Sequence, residues 1–115
     1  MTRGEVYWAD LKPRSGSEQG GRRPVIVVSH DLFNRAPGWR SVIVVPVSTS
    51  TAQAQRGPTA VTLPAGSAGL TKDSVALFHQ VTTLDRGKLG TRLGVLPAGV
   101  VSQIEGGLKV AMSLP

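Results

Sequence analysis

Residues 41–48 read Ser41-Val42-Ile43-Val44-Val45-Pro46-Val47-Ser48, and residues 23–29 read Arg23-Pro24-Val25-Ile26-Val27-Val28-Ser29. Each stretch carries an unbroken β-branched run, Val-Ile-Val-Val, with no polar alternation. Such a run fits a strand covered by apolar material on both faces. Pro46 has no N–H to give a ladder, so the later strand is expected to end, bulge or lie at an edge there. Working outward, residues 5–11 hold the strand formers Val6, Tyr7 and Trp8. Residues 59–63 and 74–83 complete a set of about five strands. From Pro97 onward, Val100, Val101, Ile104, Leu108 and Ala111 recur at helical spacing, and Pro97 suits a first helical turn. Gly99, Gly106 and Gly107 each weaken that helix by about 1 kcal/mol, yet the pattern still predicts a C-terminal helix packed on the sheet. Residues 85–89 suggest one more short helical turn. The fold expected is mainly β with α, an α+β domain spanning residues 1–115.

Composition narrows the function classes. At 115 residues and 40% apolar content the chain can bury one core and is not bulk disordered. No apolar run approaches the roughly 20 residues that span a bilayer. The opening Met1-Thr2-Arg3-Gly4-Glu5 has no apolar signal segment, so a cytoplasmic location is expected. The absence of cysteine excludes disulfides, thiolate catalysis and Cys-based zinc sites. Thirteen Lys and Arg against seven Asp and Glu give a net charge of +6, which favours an anionic partner, nucleic acid first. Charge alone does not separate that reading from plain solubility.

Two connections are longer than tight hairpins need. Residues 12–22 are rich in Gly and Ser with basic residues at both ends, and residues 49–58 are polar, with Gln53, Gln55 and Arg56. A binding role and an ordinary connection weigh equally for the second. Several chemistries fall away. Gly16-Ser17-Glu18-Gln19-Gly20-Gly21 lacks the Lys-Ser/Thr of a phosphate-binding loop and leads into a β-branched run, not a helix. Ser29-His30-Asp31 contains triad residue types, but neighbours on an extended chain point apart. His30 and His79 are the only histidines, and neither has a metal-ligand partner at short spacing. On a continuous strand over 74–83, His79 would share a face with Val75, Leu77 and Val81, as a half-buried structural histidine. Gln80 would lie on the other face, able to donate and accept at a base edge.

Five blocks then line up: Arg3-Gly4-Glu5-Val6-Tyr7-Trp8-Ala9-Asp10-Leu11; Gly16-Ser17-Glu18-Gln19-Gly20-Gly21-Arg22-Arg23-Pro24-Val25; His30-Asp31-Leu32-Phe33-Asn34; Val45-Pro46-Val47-Ser48-Thr49; and Gln80-Val81-Thr82-Thr83-Leu84-Asp85. In order and spacing, and over nearly the whole chain, they resemble the MazF/PemK family of toxin endoribonucleases from bacterial toxin–antitoxin systems. The first two blocks are specific and the others supporting. The resemblance implies a small half-open antiparallel SH3-like barrel, the CcdB/MazF-like plasmid maintenance toxin fold, with a C-terminal helix. It also implies a homodimer that binds single-stranded RNA in a groove at its interface and cuts at short motifs with no metal and no cofactor. The family's catalytic arginine falls on Arg23 and its catalytic hydroxyl, usually threonine, on Ser48, with Thr49 adjacent. The loop that closes over substrate falls on residues 16–21. RNA contacts are expected from Ser17, Gln19, Gly20, Gly21, Arg22, Asn34, Thr49 and Gln80.

Metal-free RNA cleavage uses the 2′-hydroxyl as nucleophile on its own phosphate and leaves a 2′,3′-cyclic phosphate and a 5′-hydroxyl. The enzyme must hold that hydroxyl in line and stabilise charge gained on phosphorus. Arg23 suits the second task as a planar, permanently charged fork, and is an awkward base for the same reason. Ser48 could bond a non-bridging oxygen or orient the nucleophile, and Glu18 is the nearest candidate proton acceptor. Each has a structural alternative: a surface ion pair for Arg23 and a strand-end role for Ser48, while Tyr7 and Trp8 read first as core or dimer contacts and second as base-stacking platforms, and Asn34 first as stabilising its turn and second as a base contact. A basic groove further predicts an antitoxin with an acidic, partly disordered segment. Two rival functions share the fold: a non-catalytic nucleic-acid-binding barrel, and a gyrase-poisoning toxin. The second depends on an aromatic C-terminal tail, whereas this chain ends Met112-Ser113-Leu114-Pro115.

Overall fold

A computed structural model describes residues 1–11, 21–49 and 59–115. Seven strands, β1 (Glu5–Asp10), β2 (Arg22–Val27), β3 (Ser41–Ser48), β4 (Ala60–Leu63), β5 (Ser74–Leu77), β6 (Thr82–Asp85) and β7 (Leu89–Val95), form one antiparallel sheet. A short helix α1 (Asp31–Asn34) follows β2, and α2 (Ala98–Met112) ends the chain. Along the sheet the order is β4-β5-β3-β2-β1-β7, with β6 also paired to β3.

The β-branched runs occupy the middle of this sheet. Val25, Ile26, Val27, Val44 and Val45 are all fully buried, as strands covered on both faces require. One face contributes Val6, Ile26, Val45 and Val47 to a core that takes in Leu63, Phe78 and Ile104 of α2. The other contributes Ala9, Leu11, Val25, Val42, Val44 and Leu84, flanked by Met1, Tyr7 and Leu89. Pro46 does not end β3. It holds the last rung with β2, opposite Val25, and the strand runs on to Ser48 against β5.

The expected strand over 74–83 is two strands. Val47 lies opposite Ala76 and Val44 opposite Thr82, so three steps of β3 face six of its partner. The surplus is a 3₁₀ turn, Phe78–Gln80, which swings the Phe78 ring into the core and leaves His79 exposed. His79 is therefore not a half-buried strand residue. The turn expected at 85–89 is present as Arg86–Lys88, capped by Asp85, whose carboxylate accepts from the Gly87 N–H at 2.7 Å.

Glycines explain two close approaches. A Cβ on Gly107 would lie 2.1 Å from two carbons of the Phe78 ring, so α2 can reach the core only because position 107 has no side chain. Gly69, with φ of +79°, ends the Ser67–Gly69 turn after β4, and a Cβ there would meet the Leu93 carbonyl of β7 at 2.2 Å. The connection from one edge strand is thereby laid on the other edge strand, and the sheet is half closed.

Candidate active site

Arg23 lies on β2 opposite Ala9 of β1. The β2–β3 register pairs Val25 with Pro46. That is the last rung the two strands share, and Arg23 and Ser48 each lie two residues beyond it. Side chains alternate along a strand, so Arg23 shares a face with Val25 and Ala9, and Ser48 shares that same face with Val42 and Val44. Arg23 is half-buried, while Ser48, at the end of β3 and opposite Val75, is only 4% exposed. The sheet thus puts a guanidinium and a hydroxyl at one end of two adjacent strands.

The neighbouring residues face the other way. Arg22 crosses over Trp8, its guanidinium carbon 4.8 Å from the ring centroid, well inside cation–π range. Trp8 and Pro24 are cross-strand partners, and both line a cleft of about 330 Å³ together with Leu70, Lys72, Ser74 and Leu93. Thr49, exposed at the end of β3, lines it too. Gly21 has a φ of +74° and accepts the Leu11 N–H at 2.9 Å, which fixes where the connection rejoins β2. Ser17, Glu18, Gln19 and Gly20 lie outside the described residues. Gln80 is half-buried at the end of the 78–80 turn, and it is not among the cleft's lining residues.

Asn34 lies at the end of α1. It is 3% exposed, and its amide donates to the Ser29 carbonyl at 2.7 Å and to the Asp31 carboxylate at 3.0 Å, while the Ser29 hydroxyl donates to its oxygen. A side chain this enclosed, with its polar atoms engaged, stabilises its own turn, the first of the two roles the sequence offered for it. The triad types at 29–31 are also structural: His30 Nδ1 accepts from the Leu32 N–H at 2.9 Å and caps α1, and Asp31 accepts from the Arg3 N–H at 2.6 Å.

The engaged carboxylates hold the scaffold. Burial disfavours the charge on Glu5, but bonds from Arg92 and from the Thr2 backbone and hydroxyl outweigh it and lower the pKa. For Asp31, burial is likewise outweighed by the Arg3 N–H and the Asn34 amide. The Arg40 bond leads in lowering Asp85. Carboxylates shifted this way stay ionised and make poor proton acceptors near neutrality. Among the described residues, no three His, Asp or Glu side chains converge in a way that could hold a metal ion. No helix among them is long and apolar enough to cross a membrane.

A family model of PemK-like, MazF-like toxins of type II toxin–antitoxin systems matches residues 2–112. The chain belongs to the PemK/MazF toxin family. Its relatives include endoribonuclease MazF2 of Mycobacterium bovis, 38% identical over 99% of this chain and 98% of that protein. Endoribonuclease EndoA of Bacillus subtilis is 36% identical over 99% and 96%. Among solved structures, MazF from Deinococcus radiodurans aligns with a TM-score of 0.81 at 31% identity, covering 99% of this chain and 97% of that one. A mycobacterial endoribonuclease solved with its cognate antitoxin aligns at 0.75 and 25% identity, covering 100% and 95%. The half-open antiparallel sheet with a C-terminal helix is this PemK/MazF fold.

Trp8 and Lys72 both line the cleft beside these residues; the sequence reading weighed Trp8 as a core or dimer contact and did not single out Lys72. Trp8 carried a visible signal, an aromatic within a strand that leads towards a basic stretch of sequence. Lys72 carried none, because the fold brings it to the cleft from a turn far along the chain.

Proposed function

We propose that this protein is the toxin of a toxin–antitoxin pair, an endoribonuclease that cuts single-stranded RNA at preferred sequences in the cytoplasm without a metal ion. The observation that carries the reading is the shared face of Arg23 and Ser48 at one end of β2 and β3. The guanidinium of Arg23 meets the scissile phosphodiester through two parallel N–H bonds and stabilises the charge it gains as the 2′-hydroxyl attacks. The Ser48 hydroxyl bonds a non-bridging oxygen or orients that nucleophile, with Thr49 next to it. Glu18 is the proton acceptor in this scheme. The products are a 2′,3′-cyclic phosphate and a 5′-hydroxyl. Ser17, Gln19, Gly20, Gly21, Arg22, Thr49 and Gln80 hold the RNA, two copies of the chain form the groove, and an antitoxin with an acidic, partly disordered segment occupies it. In support stand the net charge of +6 and relatives named endoribonucleases.

The test is incubation with a long single-stranded RNA in EDTA, followed by mapping of the new ends. Discrete cuts with 5′-hydroxyl ends are expected, with the rate falling about 10²–10³-fold in Arg23→Ala. Arg23→Lys restores the charge without the planar fork and recovers only part of that loss. RNA left intact but retained in a salt-sensitive way identifies a binding module instead.

A further inference from the structure

The cleft on the far side of Arg23 and Ser48 has a composition of its own. Trp8, Pro24, Leu70 and Leu93 make its walls apolar, and among the described residues that line it Lys72 is the one that is charged. Its size, about 330 Å³, sits at the lower end of small-molecule pockets. An apolar slot with a single cation suits a flat heterocycle that carries an acceptor, and suits a phosphate poorly. The walls are fixed. Leu70 is buried in the core and its N–H bonds the Ser67 carbonyl at 2.8 Å. The Asp73 carboxylate accepts from the Ala65 N–H at 2.8 Å, and the Ser74 hydroxyl donates to the Lys72 carbonyl at 2.8 Å. The main chain of Lys72 is therefore tied at its carbonyl and followed by the anchored Asp73, while its side chain stands exposed. Arg22, which is not among the lining residues, lies over the half-buried Trp8 ring.

Position in the chain ties this slot to the cut. Pro24 follows Arg23 and Thr49 follows Ser48, so each strand presents one residue to the scissile side and the next to the slot. We infer that the slot is a base-specificity pocket: it receives one RNA base flanking the scissile phosphate, packs it against Trp8, and selects through Lys72 for a base bearing an exocyclic oxygen over adenine. This rests on the endoribonuclease reading above and adds to it the residues that choose where to cut. Stacking on an aromatic ring tolerates any base. The Lys72 ammonium supplies the discrimination, because it donates and cannot accept, and adenine offers it only ring nitrogens where the other bases offer a carbonyl oxygen.

The test uses the whole chain and short RNA substrates built around a mapped cut site, with one base at a time removed to leave an abasic sugar. In the wild-type protein, an abasic sugar at one position within two nucleotides of the cut is expected to raise KM about tenfold. That penalty should vanish in Trp8→Ala and persist in Trp8→Phe, which keeps a ring and guards against a folding failure. At the same position, exchanging an oxygen-bearing base for adenine should cost the wild-type protein about tenfold in kcat/KM, and Lys72→Met should erase the difference. If RNA is cut while Lys72→Met and Trp8→Ala keep the wild-type base preferences and abasic penalties, the pocket is refuted and the nuclease stands. If wild-type protein neither cuts nor binds RNA, both fall together.

Discussion

Adding one methyl group to α2 tests the packing of the whole domain. In an exposed helix interior, Gly→Ala stabilises by about 1 kcal/mol, because the glycine chain has more freedom to lose on folding. Gly106 meets that condition, since nothing lies within 4 Å of a Cβ built there. Gly107, one residue along, does not. Its Cβ would sit 2.1 Å from two carbons of Phe78, whereas non-bonded carbons rest about 3.5–4.0 Å apart. The ring would have to retreat by about 1.5 Å into a fully buried cluster with Val47, Leu63 and Ile104. Overpacking a core costs about 1–3 kcal/mol, and an overlap this deep belongs at the upper end. Set against the helix gain, Gly107→Ala should be destabilised by about 2 kcal/mol while Gly106→Ala gains about 1, a spread of about 3 kcal/mol between adjacent sites. Urea unfolding of both variants reads this directly, as midpoints shifted in opposite directions at a common slope. Equal midpoints, or a Gly107→Ala midpoint above that of Gly106→Ala, would refute the contact between α2 and the 78–80 turn.

Asn34→Ala leaves the buried Ser29 carbonyl and hydroxyl short of a partner, so a loss of about 1–3 kcal/mol in unfolding free energy is expected, with RNA cleavage by the folded protein unchanged. A variant that keeps its melting temperature and loses cleavage would return Asn34 to the RNA. The lowered pKa of Glu5 carries a sign: its stabilisation is full above the unfolded carboxylate value near about 4.3 and is lost as pH falls through the lower folded value. Glu5→Gln should therefore be less stable than the parent at pH 7, with the gap closing in acid. A gap constant from pH 7 down to the acid transition would show that the Arg92 pairing is not its source.

Sequence and structure agree where one physical signal dominates. Strand β3 was readable to the residue, because a β-branched run tolerates little else and Ser41 and Ser48 punctuate it. Strand β7 was not seen: Leu89-Gly90-Thr91-Arg92-Leu93-Gly94-Val95 has two glycines and no run. Gly94 is there for space, since a Cβ on it would strike the Ala68 backbone at 2.6 Å. The break at 78–80 was invisible for the opposite reason, because apolar alternation continues across it while the backbone does not. Helix α1 has four residues, too few for any periodicity. At the site, Arg23 and Ser48 came from resemblance alone, since an arginine before a proline and a serine ending a strand are common. Only the pairing of β2 with β3 brings them to the same end of adjacent strands. The cleft assembles residues 8, 24, 70, 72 and 93, whose meeting depends on strand order and could not be foreseen from spacing.

The seam where Gly69 abuts Leu93 gives that slot an unusual margin. Both residues border it, and they come from opposite ends of the strand order, where steric contact and not a β ladder joins the edges. The spacing at that margin is therefore set by the missing side chain at position 69. Bulk introduced at position 69 would act as a wedge, prising the mouth wider while the paired strands stay zipped.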